Sequence, residues 1–312
     1  MLRKVRILGG VVTLAVLAGA TAGVAAEQTA TSAAATSSAS RPESLDEVTI
    51  RARRAELARK VSKFVNQIAA TENAEGLPRW NEPVCPLVTG LPRQEGEFIL
   101  ERVSQIARAT AVPLAGERCR PNLYIVVTSD PKKALEGLDH RHRLLVFGGT
   151  GASVVHDFIA TPRAVRVWYS SDMTDPFGTP PDTPTVFSPC TMGPSICSLP
   201  MVDHADPTHL SFNRIWNFSR VVLIVDQTRL HAVARGQFAD YAAMVGLAEI
   251  RPDARLDDAE TILKLFDAAP EAAPAGMTDW DRVFLKSLYA TEQRVRQQRS
   301  EIAHNIVRQI AR

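Results

Sequence analysis

The chain has 312 residues, of which 45% are hydrophobic, and its 36 Lys+Arg residues nearly balance its 34 Asp+Glu residues. This composition excludes a disordered tail and a strongly basic protein that coats nucleic acid. The length is sufficient for one large domain with a full hydrophobic core.

The first 26 residues have the pattern of a secretory signal peptide. A basic start at Arg3, Lys4 and Arg6 precedes an apolar run from Ile7 to Leu17, and a stretch of small residues ends at Ala26. The apolar run is shorter than the roughly 20 residues that a membrane-spanning helix needs. We therefore expect cleavage after Ala26, export to the periplasm or the medium, and no membrane span in the mature protein.

The charge of the mature chain bears on its partners. Cleavage after Ala26 leaves 33 Lys+Arg against 34 Asp+Glu. A balanced charge gives no support to binding of nucleic acid or of an anionic membrane surface. We therefore expect an envelope protein or peptide as the partner, and we expect no cofactor.

Composition also divides the mature chain. Residues 27–45 include an uninterrupted run of Ala, Ser and Thr, which predicts a flexible linker. Residues 46–312 then form a single predicted α+β domain, with a Pro-rich insertion at about 172–210. So long an irregular segment is typical of a functional loop or of a cover held by a disulfide.

Hydrophobic periodicity predicts the elements of this domain in chain order. Helical spacing predicts helices around 57–68, 94–110, 230–247 and 257–266, and a long C-terminal helix from Thr278. Apolar, β-branched runs predict strands at Leu123–Val127, Leu144–Phe147, Val165–Tyr169 and Val221–Val225. Because helices and strands mix without strict alternation, the expected fold class is α+β, with a mixed sheet and packed helices.

Four cysteines follow the predicted cleavage site, and an even number in an exported chain indicates disulfides. Three connectivities are possible, and we favour Cys85–Cys119 and Cys190–Cys197, because the second pair closes a short loop rich in Pro and Gly. No Cys-x-x-Cys spacing supports a cysteine-ligated zinc site.

Two further motifs contain residue types that occur in ligand sites. Gly148, Gly149 and Gly151 follow a predicted strand, but no acidic residue ends a second strand at the distance that a dinucleotide site needs, so a tight turn is the better interpretation. A cluster in the Pro-rich insertion has the donor types of a metal site and is the candidate for a metal-dependent hydrolase: Asp203, His204, Asp206 and His209.

Residues 221–289 carry the most informative pattern. A buried-type strand leads to a helix that ends at Gly246-Leu247, and Thr278 to Asp281 opens a later helix that ends near Leu288-Tyr289. This order resembles the frame of the zincin metallopeptidases, in which a helix carries His-Glu-x-x-His-x-x-Gly-Leu and a closing helix follows. The resemblance implies a zincin-like fold.

The residues that would perform zincin chemistry are absent from that pattern. Ala239 and Ala243 occupy the two zinc-ligand positions, Asp240 occupies the general-base position, and Gly246 is retained. Alanine has no lone pair for a metal, and without the metal no activated water remains for the carboxylate. The resemblance therefore implies a degenerate site with no catalytic residue and no bound metal.

The wider chain is similar to exported proteobacterial proteins of unassigned function, through Arg79-Trp80, Pro83-Val84-Cys85-Pro86 and Cys119-Arg120-Pro121-Asn122. The interpretation that follows is a non-catalytic protein with a binding or structural role in the cell envelope. Two alternatives stay open. One is a hydrolase that uses a different, metal-dependent site, and the other is an envelope interaction module that docks through its Pro-rich insertion.

Overall fold

The computed structural model describes most of the predicted domain. The described residues are 45–69, 76–142, 152–174, 188–189, 196–197, 215–252, 254–256, 258–269, 272–293 and 297–311. All of them belong to one compact unit that spans Leu45–Arg312.

Seven helices and six strands are present among the described residues. The helices are α1 (Leu45–Ile68), α2 (Arg93–Ala109), α3 (Pro131–His142), α4 (Ala152–Ala160), α5 (Arg235–Leu247), α6 (Asp279–Ala290) and α7 (Gln298–Ile310). The strands are β1 (Pro86–Thr89), β2 (Leu123–Thr128), β3 (Val165–Thr174), β4 (Ser188–Pro189), β5 (Ile196–Cys197) and β6 (Ile215–Asp226).

The main sheet has four strands in the order β1-β2-β6-β3. β1, β2 and β6 are parallel, and β3 runs antiparallel to β6, so the sheet is mixed. Leu123 pairs with Val221 across β2 and β6, and Val167 pairs with Leu223 across β3 and β6. The predicted α+β class with a mixed sheet and packed helices is therefore confirmed.

Different helices cover the two faces of the sheet. Successive side chains of a strand point to opposite faces, so each strand contributes to both layers. On β2, Leu123, Ile125 and Val127 are buried in the main core, to which the helices α1, α2, α5, α6 and α7 also contribute. On the opposite face, Val222 and Ile224 of β6 join a smaller cluster with residues of α3 and α4. The apolar run of β6 is thus buried on both sides.

The hydrophobic residues of α1 form one buried face of the helix. Val61, Phe64, Val65 and Ile68 are at most 1% exposed, at the spacing of one helix face. The ring of Phe64 makes edge contacts with Trp280 and Phe284 of α6, with centroid distances of 5.5 and 6.2 Å. The first part of α1, residues 47–56, is exposed.

A glycine ends β1 for a steric reason. Gly90 has a φ of +83°, and a Cβ atom built on it would lie 1.8 Å from the carbonyl oxygen of Val127. Only glycine accepts both the left-handed backbone and this approach of β2. The turn at Gly90 therefore sets the direction in which the chain passes from β1 to α2.

Some predicted elements differ from the observed ones. The helix predicted at 230–247 begins only at Arg235, and a short 3₁₀ helix occupies Gln227–Leu230. The segment predicted as a helix at 257–266 is a shorter 3₁₀ helix at Ile262–Phe266. Thr261 caps its start by accepting a hydrogen bond from the backbone N–H of Leu263 at 3.2 Å. The predicted C-terminal helix exists as two helices, α6 and α7. The predicted strand Leu144–Phe147 lies outside the described residues.

Candidate functional site

α5 is the helix that the sequence pattern singled out, and it lies inside the core. All of its residues from Phe238 to Leu247 are buried except Tyr241, which is partly buried. Ala239 and Ala243 are 0% exposed. α5 contacts α2, the 3₁₀ helix Ile262–Phe266, β6 and α6, and its small side chains suit such close packing. The two alanines therefore belong to the packing of the core.

Asp240 is buried and has partners for both of its carboxylate oxygens. The guanidinium of Arg102 on α2 donates from Nε to Oδ1 at 2.6 Å and from Nη2 to Oδ2 at 3.2 Å. The backbone N–H of Met277 donates to Oδ2 at 2.7 Å. The side chain of Asp240 is 4% exposed, whereas that of Arg102 is 39% exposed. Asp240 thus joins α5 to α2 and to the segment that leads into α6.

The ion pair also has an electrostatic consequence. The hydrogen bond to Asp240 raises the pKa of the Arg102 guanidinium above its ordinary value. Burial lowers this pKa, but by less than the hydrogen bond raises it. A bidentate pair between Arg and a carboxylate is directional as well as charged. Each oxygen of Asp240 accepts at least one of these hydrogen bonds, and one of the donors is a charged guanidinium, which favours the ionised carboxylate.

The segment opposite Asp240 is shaped to admit this carboxylate. A Cβ atom built on Gly276 would lie 2.8 Å from Oδ2 of Asp240. Real Cβ atoms do not approach an oxygen so closely, so an alanine here would force the carboxylate or the backbone to move. The glycine therefore permits the hydrogen bond between the next residue, Met277, and Asp240.

The carbonyl groups at the C-terminal end of α5 are hydrogen-bonded by three aromatic side chains. The hydroxyl of Tyr169 donates to the Val245 carbonyl at 2.9 Å, and the hydroxyl of Tyr289 donates to the Leu247 carbonyl at 2.6 Å. Nε1 of Trp80 donates to the Gly246 carbonyl oxygen at 2.9 Å. The last four carbonyls of a helix have no partner within it, and these side chains provide three of the missing donors. Burial raises the pKa of both tyrosines, so they remain neutral donors.

Gly246 has a packing role at the same end of the helix. A Cβ atom built on it would lie 3.1 Å from Cδ1 of Leu123 on β2. Its backbone does not adopt the left-handed conformation, which among the described glycines is recorded for Gly90. The helix continues through Leu247, in agreement with the predicted end at Gly246-Leu247. The absence of a side chain at Gly246 therefore permits the close contact between α5 and the sheet.

A second buried carboxylate organises the start of α6. Asp281 is 0% exposed and accepts hydrogen bonds from Oγ1 of Thr261 at 2.6 Å, from the backbone N–H of Ile262 at 2.8 Å and from that of Thr278 at 2.9 Å. Burial raises the pKa of Asp281, and these hydrogen bonds oppose that effect. Oγ1 of Thr278 accepts in turn a hydrogen bond from the backbone N–H of Asp281 at 3.3 Å, and the two residues form a capping box at the start of α6. The carboxylate of Asp281 therefore connects the start of α6 to the 3₁₀ helix Ile262–Phe266.

Glu249 is a titratable residue that the sequence analysis did not single out. It lies two residues beyond α5 and is partly buried. Burial raises the pKa of Glu249 to about 7. A carboxylate just after a helix end also faces the negative pole of the helix dipole, and this position was the available signal in the sequence.

Two grooves lie beside this part of the molecule. The first, which we call the basic groove, has a volume of about 630 Å³ and is lined by α2, α6 and α7, including Arg102, Arg282 and Lys286. The second, which we call the β3 groove, has a volume of about 620 Å³ and lies between β3 and Tyr241 and Val245 of α5. Both have a size typical of ligand pockets.

The remaining predicted sites have different outcomes. The structure joins Cys85 to Cys119 in a disulfide, with a Cα–Cα distance of 5.9 Å. Cys190, and with it the predicted pair with Cys197, lies outside the described residues, as does the candidate metal cluster of Asp203, His204, Asp206 and His209. Within the part of the chain that the structure describes, no group of three His, Cys, Asp or Glu residues is arranged to hold a metal ion. Among those same residues, no helix meets the length and hydropathy of a membrane span.

Comparison with known proteins adds no relative. A scan against protein-family models, a search of curated proteins and a search of solved structures each found no match to this chain.

Proposed function

We propose that this protein is an exported, non-catalytic protein of the cell envelope, built on a zincin-like frame that has lost its catalytic zinc, and that it binds an envelope protein or peptide. The observation that supports the proposal most strongly is that α5 is packed in the core without a zinc ligand at the two expected positions. Ala239 and Ala243 are wholly buried, and Asp240 is engaged by Arg102 and Met277.

The chemistry of α5 supports the loss of catalysis. A catalytic zinc site uses three protein ligands and one open position for water. At the two ligand positions the helix has methyl groups that pack in the core, and these groups have no lone pair. The carboxylate at the general-base position accepts three hydrogen bonds from its neighbours, which supports a structural role for it in the fold.

Export is supported by separate observations. The first 26 residues have the charge and hydropathy pattern of a cleaved signal peptide, and Cys85 and Cys119 form a disulfide. Disulfides persist in oxidising compartments such as the periplasm. We expect N-terminal sequencing of the mature protein to begin at Glu27. A protein recovered from the membrane fraction with Met1 retained would refute this part of the proposal.

Metal analysis of the mature protein, purified without a His-tag, tests the catalytic part. We expect no stoichiometric zinc and no peptidase activity that a chelator abolishes. One equivalent of zinc lost in the Asp240→Asn variant would contradict the proposal at α5. Zinc lost instead in the His204→Ala variant would favour the metal-dependent hydrolase at the Pro-rich insertion.

A further inference from the structure

β3 is an edge strand of the main sheet. The strand order is β1-β2-β6-β3, so in the part of the chain that the structure describes β3 pairs with β6 alone. The backbone N–H of Asp226 on β6 donates to the Ala164 carbonyl at 2.9 Å, which directs the backbone of Ala164 toward β6. Because backbone groups alternate in direction along an antiparallel strand, Val165, Val167 and Tyr169 direct their N–H and C=O groups away from β6.

These outward backbone groups have no partner within the described ranges. No hydrogen bond from those ranges reaches the N–H or C=O of Val165, Val167 or Tyr169 on the side away from β6. A β-bulge often blunts a free edge, but the bulge of this strand lies further along, between Ser170 and Ser171. The free edge therefore offers the hydrogen-bonding pattern that another extended chain needs for pairing.

The β3 groove is lined by the same three residues. Its lining also includes Tyr241 of α5 and Phe266 of the 3₁₀ helix, whose rings are in edge contact with a centroid distance of 4.9 Å. All five of these residues, Val165, Val167, Tyr169, Tyr241 and Phe266, are partly exposed. The groove thus combines accessible apolar and aromatic surface with a strand edge, in a volume of about 620 Å³.

The β3 groove is separate from the degenerate positions of α5. Tyr241 and Val245, which line the groove, are four residues apart and share one face of the helix. Ala239 and Ala243 each precede them by two residues, which turns the helix by about 200°. The groove therefore lies on the side of α5 opposite to these alanines, and its use does not depend on the lost zinc site.

We propose that the β3 groove binds an extended peptide segment of an envelope partner, which adds to the edge of β3 as a further strand. This inference rests on the proposed binding function and specifies its ligand. Main-chain hydrogen bonds to Val165, Val167 and Tyr169 would hold the segment, and its alternate side chains would contact Tyr241 and Phe266. At about 3.3 Å per residue, a segment of about six residues covers this stretch of β3.

Three peptides of one length test the ligand. The probe is a fluorescein-labelled hexapeptide of alternating Val and Ser, and we expect fluorescence anisotropy to show saturable binding. The same peptide with an N-methyl group on every residue lacks the N–H donors, so it should bind at least fivefold more weakly. A third peptide, Val-Val-Val-Ser-Ser-Ser, has the same composition without the alternation and should also bind more weakly, because a strand directs alternate side chains to one face.

A variant of β3 locates the binding. Val167→Pro removes an N–H that points away from β6, so the pairing of β3 with β6 keeps its hydrogen bonds, as is usual for a proline on an edge strand. We expect it to weaken binding of the Val-Ser peptide at least threefold. The control is Val167→Ala, which shortens the side chain but keeps the N–H and should have a smaller effect. Thermal unfolding of each variant verifies that it is folded.

Amide hydrogen exchange of the unmodified chain, followed by NMR, gives a test that needs no variant. In the free protein the amides of Arg166 and Trp168, which point toward β6, should exchange slowly, and those of Val165, Val167 and Tyr169 should exchange faster. Saturation with the Val-Ser peptide should slow exchange at these three residues.

Four results would overturn the inference: no binding of the Val-Ser peptide, equal binding of its N-methylated form, equal loss of binding in Val167→Pro and Val167→Ala, or slow exchange at the three outward amides in the free protein. Concentration-dependent dimerisation abolished by Val167→Pro would assign the edge to a second copy of the chain and would likewise overturn it. None of these results bears on zinc content or peptidase activity, so failure of the inference is distinguishable from failure of the proposed function.

Discussion

The indole Nε1 of Trp80 donates a hydrogen bond to the carbonyl oxygen of Gly246 at 2.9 Å, across 166 residues of sequence. Tyr289 donates to the neighbouring Leu247 carbonyl and also accepts from the backbone N–H of Trp80 at 3.3 Å. The Arg79-Trp80 motif therefore meets the end of α5 and the end of α6 at one place. Arg79 completes this junction by donating from Nη1 to the Leu288 carbonyl at 2.9 Å and to the Thr291 carbonyl at 2.8 Å.

The Tyr289→Phe variant tests whether this junction stabilises the fold. It removes the hydroxyl that donates to Leu247 and accepts from Trp80, and it leaves a buried carbonyl and a buried N–H with one partner fewer. We expect the free energy of unfolding to fall by about 1–3 kcal/mol, measured by urea denaturation. The control is Tyr124→Phe, whose hydroxyl makes a hydrogen bond to the Pro121 carbonyl at 2.8 Å from a partly buried position on the sheet. A loss for Tyr289→Phe that is no greater than the control's would contradict the junction's importance.

Two glycine-to-alanine variants test the contact between Gly276 and Asp240. Gly276→Ala places its Cβ 2.8 Å from Oδ2 of Asp240, so we expect a loss of about 1–3 kcal/mol of stability. Gly236→Ala in α5 meets no atom within 4 Å, and alanine suits a helix better, so we expect a gain of about 0.5–1 kcal/mol. Thermal and urea unfolding of both variants measures the difference. If Gly276→Ala is tolerated as well as Gly236→Ala, the carboxylate is not held where the structure places it.

The sequence was sufficient to predict the elements whose periodicity is local. β2 alternates buried and partly buried residues, and α2 (Arg93–Ala109) matches the predicted 94–110 closely. The segment 257–266 was predicted as an ordinary helix, whereas the observed helix is a 3₁₀ helix that begins only at Ile262. The backbone N–H of Ile262 donates a hydrogen bond to Asp281, which lies 19 residues later in the sequence. The local spacing of hydrophobic residues does not indicate a hydrogen-bond partner so distant in the sequence.

The candidate site was predictable only as a helix with small residues. The sequence pattern identified this helix and the residues Ala239, Asp240 and Ala243 on it. It could not identify the partner of Asp240, because Arg102 is 138 residues away in the sequence and lies on another helix. A pairing of this kind depends on how α2 crosses α5, and only the tertiary packing determines that.

The pH dependence of stability should contain a contribution from Glu249. Burial raises its pKa to about 7 in the folded protein, whereas the pKa of an unfolded Glu is about 4.3. The folded state thus binds the proton more tightly, so the stabilisation is fully present below about pH 4.3 and is lost as the pH rises through about 7.

Glu249→Gln removes this titration. We expect the variant to gain stability relative to the wild-type protein between pH 5 and pH 8, as measured by urea denaturation at both pH values. The exposed Glu117→Gln serves as the control and should show a smaller change between the two pH values. A constant difference between Glu249→Gln and the wild-type protein across this range would contradict the shifted pKa.

The disulfide should stabilise the fold by an amount that grows with the logarithm of the length of the loop that it closes. Cys85 and Cys119 are 34 residues apart, and constraining a loop of this length in the unfolded state is worth about 3–4 kcal/mol. We therefore expect Cys85→Ala to lower the melting temperature in non-reducing buffer and to have little effect on the reduced protein. Alkylation of both thiols in the native, unreduced protein would show that the bond is absent.

The ion pair between Arg102 and Asp240 is central to the account, and a double-mutant cycle tests it most directly. The free energies of unfolding of the wild-type protein, Arg102→Gln, Asp240→Asn and the double variant give the coupling between the two side chains. We predict a stabilising coupling of about 1–2 kcal/mol, reduced from that of a fully buried pair because Arg102 is 39% exposed. Asp240→Asn alone should destabilise the protein and leave its zinc content unchanged. A coupling near zero, together with unchanged stability of Asp240→Asn, would show that Asp240 is not a structural partner of Arg102 and would contradict the account.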